Sequence, residues 1–217
     1  MEPSVPGELE LMMEPVKKTH FSTADWNFSG SEWVLDTSDY VDPPAALRFN
    51  YVNVIALLKQ SSVGMPLPEG MIETYFKHKA STPGLGGWIT IRNQSADGWA
   101  GSTNRYMLLL YGSVAGDGKP LDRARLVRAD TDLETKTLDP PIYPYTWERV
   151  RVKWWVYAGV FFVRLEKYVN GEWVRLCGDW SDPVNAWANS SINRVGVRSL
   201  STYPCLFDVT KIYRRVS

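Results

Sequence analysis

The stretch WERVRVKWWVYAGVFFVRLEKYVNGEW, from Trp147 to Trp173, constrains this chain more than any other. Val150, Val152 and Trp154 fall on one parity, and Arg149, Arg151, Lys153 and Trp155 on the other. That two-residue period is the signature of an extended strand with two chemically different faces. Past a turn at Ala158 and Gly159, Phe161, Val163 and Leu165 share one face, with Phe162, Arg164 and Glu166 opposite. Asn170-Gly171 is a two-residue loop of the kind that takes positive φ at both positions and sets the right-handed twist of a hairpin. Glu172 to Leu176 then returns as a third strand. The region reads as a meander with an aliphatic inner face and an outer face that mixes rings with cations, suited to covering a core on one side and meeting something polar on the other.

The same rhythm recurs along the chain. Residues 70–80, 86–94, 104–112, 123–129, 193–200 and 206–216 read as further strands, separated by linkers that carry Pro and Gly, such as GMPLPEG, STPGLGG and AGDGKPLD. No long segment has a helical stripe, and no repeat of fixed period occurs. About a dozen short strands with this punctuation imply an all-β, two-sheet antiparallel β-sandwich. Residues 1–19 hold three Pro and no period, and are read as an extended arm that packs on the body or clasps another subunit, with residues 20–217 forming one sandwich domain.

Charge narrows the partners. The 24 basic and 24 acidic residues cancel, so no net field holds a polyanion by counterion release, and nucleic acid is not an expected partner. The N-terminal stretch lacks a basic region followed by an apolar one, and nowhere do eighteen apolar residues run together, so neither export nor membrane insertion is expected. Cys177 and Cys205 are too few for a disulfide framework and lack metal-ligand spacing, which favours reduced thiols over a bridge between late strands.

Several segments resemble the concanavalin A-like lectin and glucanase superfamily, including its laminin G-like modules: DWNFSGSEW (Asp25 to Trp33), PEGMIETYFK, GGWITIRNQ, the meander, and FDVTKIY (Phe207 to Tyr213). The resemblance covers residues 20–217 and implies a jelly roll whose first and last strands lie side by side and whose concave sheet binds glycans. It also implies a structural Ca2+ near the terminal strands, with Asp208 and Asp25 matching that region. The competing reading of Asp208 is a carboxylate that accepts backbone amides.

Sugar recognition needs flat apolar rings for the C–H face of a pyranose and planar donors for its hydroxyls. Arg151, Trp155, Phe162 and Arg164 meet that need on neighbouring strands, with Trp88, Arg92 and Tyr106 as contributors from others. The competing reading is that these rings fill space and the Arg residues pair with Glu166 or Glu148. A glycosidase of this superfamily carries an E-x-D-x-x-E or E-x-D-x-E run, which is missing here, and the acidic segment DTDLETKTLD (Asp130 to Asp139) reads as a solvated loop. A lyase would need Tyr75, His78, Arg92 and Gln94 on adjacent strands. The expected function is a non-catalytic binding module for glycans. The alternatives are a virion or surface structural protein that meets other subunits, with the arm making a homo-oligomer, and a hydrolase or lyase with non-standard residues.

Overall fold

The computed structural model describes residues 12–29, 33–50, 54–64, 66–81, 87–95, 104–199 and 205–216. Among them the strands are, in chain order, β1 (Met12–Thr19), β2 (Trp26–Ser29), β3 (Trp33–Asp36), β4 (Ala46–Phe49), β5 (Val54–Leu58), β6 (Gly70–His78), β7 (Ala80–Ser81), β8 (Gly87–Asn93) and β9 (Tyr106–Tyr111). They continue with β10 (Gly116–Asp117), β11 (Leu121–Arg128), β12 (Thr131–Ile142), β13 (Glu148–Tyr157), β14 (Val160–Val169), β15 (Glu172–Arg175), β16 (Trp180–Asp182), β17 (Arg194–Ser199) and β18 (Cys205–Val216). One short helix, α1 (Gln60–Val63), follows β5.

Two antiparallel sheets stack as a sandwich. A nine-stranded sheet runs β15-β14-β13-β6-β18-β4-β3, with β1 also pairing β18 and β16 pairing β14. A seven-stranded sheet runs β12-β11-β9-β8-β17-β5-β2, and β7 with β10 makes a small ribbon. The first and last of these strands lie side by side, as the resemblance implies: β1 pairs β18 from Thr19 opposite Thr210 to Met12 opposite Val216. Residues 12–19 of the expected arm therefore extend the sheet, while residues 1–11 lie outside the described residues.

The meander forms as its alternation requires. Val150, Val152 and Trp154 of β13, and Phe161, Val163 and Leu165 of β14, are buried in the main core cluster. Leu108, Leu110, Leu126, Val195 and Val197 of the seven-stranded sheet join the same cluster. Burying one such side chain is worth about 1.5–3 kcal/mol, so the inner parity of each strand is strongly specified. Both meander turns have the expected backbone: Ala158 and Gly159 have φ of 49° and 81°, Asn170 and Gly171 of 51° and 96°. Gly196 meets a different need, because a Cβ there would stand 2.2 Å from the Ala56 oxygen of the neighbouring strand.

One segment departs from its sequence reading. DTDLETKTLD is a strand, since β12 spans Thr131–Ile142 and pairs β11. Its Asp and Glu are tolerated because β12 is the free edge of its sheet, where charged side chains and Pro stay solvated.

Candidate functional site

The two outer faces differ in what they offer. At the centre of the seven-stranded sheet the outer side chains Ile55, Leu57, Met107, Leu109 and Val127 are apolar and buried in two small clusters. The outer face of the nine-stranded sheet is polar, and it keeps rings and cations at the surface.

Cross-strand register arranges that face in rows. One row holds Arg175, Glu166, Arg151, Glu73 and Lys211, on β15, β14, β13, β6 and β18, and alternates in sign across five strands. On one side of it lie Trp173 opposite Tyr168 and Arg149 opposite Tyr75. On the other side Arg164, Lys153, Met71 and Tyr213 form a third row, followed by Phe162 opposite Trp155. Opposite charges facing each other across strands stabilise the pairing, which is why Arg and Glu recur on this parity.

Rings and guanidiniums interleave. The Arg151 guanidinium lies 4.1 Å from the Trp173 ring centre, and that of Arg149 lies 5.0 Å from Trp173 and 4.6 Å from Tyr168. Trp155 and Phe162 stack at 5.6 Å with 18° between planes, and Arg164 lies over Trp155 at 5.5 Å. Arg149 donates from Nε and Nη2 to Glu73 Oε1 at 2.9 and 2.7 Å. Arg151 donates from Nε to Glu166, which also pairs with Lys153 at 3.3 Å. Asp179, in the loop after β15, takes two bonds from Arg164 at 2.6 Å each and two from Arg175 at 3.2 and 2.7 Å. Burial works against the Arg149 charge, but the Glu73 carboxylate outweighs it and the Arg149 pKa rises. At Lys153 burial wins, with Arg151 adding repulsion against the pull of Glu166, and the pKa falls.

The structure thus brings together four of the residues chosen from the sequence, Arg151, Trp155, Phe162 and Arg164, but two of them not as ligand contacts. Trp155 is fully buried and Arg164 is buried against Asp179, so both support the face from below. Arg92 and Tyr106 are elsewhere, inside the sandwich. Arg92 has a φ of 51° beside a register shift between β8 and β17, which turns its side chain inward. There it donates to Pro68 O at 2.7 Å, Asn185 Oδ1 at 2.7 Å and Ala186 O at 3.1 Å, 4.2 Å above the Phe161 ring, and burial lowers its pKa to about 10. Tyr106 stacks on Phe161 and donates to Asp182 at 2.5 Å, and burial and that carboxylate raise its pKa. The backbone of Trp88 pairs Leu109 and Arg198 in the seven-stranded sheet, and its side chain lies outside the described residues. Nor do the lyase candidates converge. Tyr75 and His78 are on β6 of one sheet, Arg92 is on β8 of the other and Gln94 just follows it, with His78 buried against the carbonyls of Ile142 and Ala80.

Both carboxylates suggested for Ca2+ are engaged by partners within the protein. Asp208 is fully buried, its Oδ2 accepts the Val41 and Asp42 amides at 2.5 and 2.8 Å, and its Oδ1 accepts the Val209 amide at 2.6 Å. Asp25 pairs with the Lys17 ammonium at 2.9 Å and accepts from Thr19 at 2.9 Å. Burial pushes the Asp25 carboxyl up, but Lys17, Thr19 and Ser62 together hold it below the usual range. A calcium ion needs six to eight oxygen ligands, and among the described residues no three His, Cys, Asp or Glu side chains are grouped to hold a metal.

Trp173, Tyr168, Arg149 and Tyr75 share this face without being among the glycan-binding residues selected from the sequence. Trp173 was legible, because the two-residue turn at Asn170-Gly171 sets Tyr168 opposite it. Asp179 carries no such signal, being in a loop after the strand.

By sequence the chain matches no protein-family model and no curated protein. By structure it is similar to a lectin from Bauhinia forficata in complex with GalNAc, with a TM-score of 0.56 and 10% identity over 92% of this chain and 98% of that one. It is similar to the winged bean acidic lectin complexed with methyl-α-D-galactose, with a TM-score of 0.57 and 10% identity over 96% and 100%. It also matches a xylan β-1,4-xylosidase from Bacillus halodurans at a TM-score of 0.53 and 13% identity, over 97% of this chain but 40% of the enzyme. Strand order, paired terminal strands and these likenesses agree: the chain has the concanavalin A-like jelly-roll fold.

Proposed function

We propose that this sandwich is a non-catalytic glycan-binding module whose ligand lies on the outer face of the nine-stranded sheet. The observation that carries the reading is the strip in which Trp173 and Tyr168 stay partly exposed beside the guanidiniums of Arg149 and Arg151, with partly exposed Phe162 farther along the same face. Rings supply a surface for pyranose C–H groups, and planar donors on the same strip grip hydroxyls or acids. The lectin-like fold supports the reading by analogy alone. Against a hydrolase, each of the three carboxylates beside these rings and guanidiniums, Glu73, Glu166 and Asp179, is engaged by two cations, so none of the three is free to flank a glycosidic bond.

A glycan array with the wild type, Trp173→Ala and Phe162→Ala tests this directly. Binding by the wild type that drops about two- to twelvefold in Trp173→Ala supports it, since stacking on one ring is worth about 0.5–1.5 kcal/mol beyond burial. Silence of the wild type across the array removes it. A second reading, contact with other protein subunits, is favoured by exposed Val34, Leu35, Tyr40 and Val41 on and beside the edge strand β3. Self-association by sedimentation that is lost in Leu35→Lys supports that reading.

A further inference from the structure

We infer that the ligand of this face is an anionic polysaccharide, carrying carboxylate or sulfate groups at intervals along its chain. This rests on the glycan-binding reading and narrows it to a substrate class. What points there is the way charge is layered. Glu73 sits between Arg149 and Lys211, Glu166 between Arg151 and Lys153, and Asp179 between Arg164 and Arg175. Each carboxylate is shared by two cations, so the three groups hold six positive charges against three negative ones, within a chain whose formal charge is zero. The neutrality of the whole chain therefore does not extend to this face.

The anions also lie underneath. Side-chain exposure is 7% for Glu73 against 26% and 39% for Arg149 and Lys211, and 8% for Glu166 against 16% and 17% for Arg151 and Lys153. Asp179 is 3% exposed, against 24% for Arg175, while its other partner Arg164 is buried with it at 6%. An approaching molecule thus meets cations, while the carboxylates that make their folding tolerable stay out of its reach.

Donor geometry adds a preference. Arg151 uses Nε on Glu166, and Arg149 uses Nε and Nη2 on Glu73. Among the described residues, both Nη groups of Arg151 and Nη1 of Arg149 have no acceptor, and these two guanidiniums flank the Trp173 ring. A planar donor beside a ring suits an acidic sugar, whose acid accepts from the guanidinium while its ring carbons cover apolar surface. Cations on alternate strands of the sign-alternating row are about 9.5 Å apart, given two inter-strand spacings, so the fitting ligand brings its charges periodically. A chain of acidic sugars does so.

The test is affinity electrophoresis and calorimetry with the intact chain against polygalacturonate, heparin, a neutral glucan and single-stranded DNA. Polygalacturonate or heparin is expected to bind, and to weaken at least tenfold between about 50 and about 200 mM salt, as several screened contacts require. Whichever of the two binds better identifies carboxylate or sulfate as the preferred group, and either supports the inference. Lys211→Gln is expected to weaken binding about threefold and Arg151→Gln about tenfold, with Arg151→Lys in between because it keeps charge but not the planar fork. Thermal melts of each variant accompany the titrations, and Lys211, the more exposed, keeps the test valid if Arg151→Gln does not fold.

If a neutral glycan binds and Trp173→Ala abolishes it while neither polyanion binds, the glycan reading stands and this inference is overturned. If no carbohydrate binds, both fall. Equal affinity for DNA and polygalacturonate also overturns it, by showing a surface indifferent to sugar.

Discussion

Replacing Asp179 with Asn is the sharpest probe of how the outer face is built. The carboxylate is almost fully buried and receives four bonds, two from Arg164 and two from Arg175. Asn keeps the shape but removes the charge that holds two guanidiniums together, leaving Arg164 buried with no counter-charge at that position. Breaking a buried ion pair from one side costs about 3–5 kcal/mol, and the partial exposure of Arg175 argues for the lower end, about 3 kcal/mol. For a domain of this size that is a drop of about 6–12 °C in Tm. Urea unfolding followed by tryptophan fluorescence is the assay, and Cm should fall with m unchanged. Arg175→Ala, which removes the solvated partner, should cost less than about 1 kcal/mol. A loss below about 1 kcal/mol for Asp179→Asn would refute the reasoning, since Asp179 would then behave as a surface carboxylate and the layering of charge would be wrong.

Other consequences follow from named contacts. Phe161→Ala, which removes a ring packed against Tyr106 and Arg92, should cost about 3–5 kcal/mol in the same unfolding assay. Gly196→Ala should destabilise by more than the 1 kcal/mol or so of a simple Gly effect, because its Cβ would collide with the Ala56 oxygen; an unchanged Cm would show that β5 and β17 can part cheaply. Burial lowers the His78 pKa below its ordinary 6.5, so the unfolded chain binds the proton more tightly. His78 should therefore contribute stability above pH 6.5 that is lost as pH falls from there through the lowered folded value, and His78→Gln should flatten that limb of a stability profile. Both thiols are pushed up to about 12 by burial, so iodoacetamide at neutral pH should label Cys205 only on unfolding and Cys177 slowly. Rapid labelling of native Cys205 would contradict its burial.

Much of this protein was readable from residue order alone. In the meander, a period of two decides which side chains face the core, and a two-residue turn decides which residues of adjacent strands meet, because both depend only on local backbone geometry. Trp154 inside, Arg151 opposite Glu166, and Tyr168 opposite Trp173 all follow from that. Parity could not say what lies above a face. Trp155 and Arg164 share the outer parity with Arg151, yet stacking by Phe162 and capping by Asp179 submerge them. The partners Glu73 and Lys211 arrive from strands far away in the chain, and Arg92 turns inward at a register shift with positive φ. Those outcomes depend on which distant strands pair and where a ladder slips. Such pairings are selected by the burial of the whole core, so only the assembled sandwich decides which cations of an electrically neutral chain end up together on its surface.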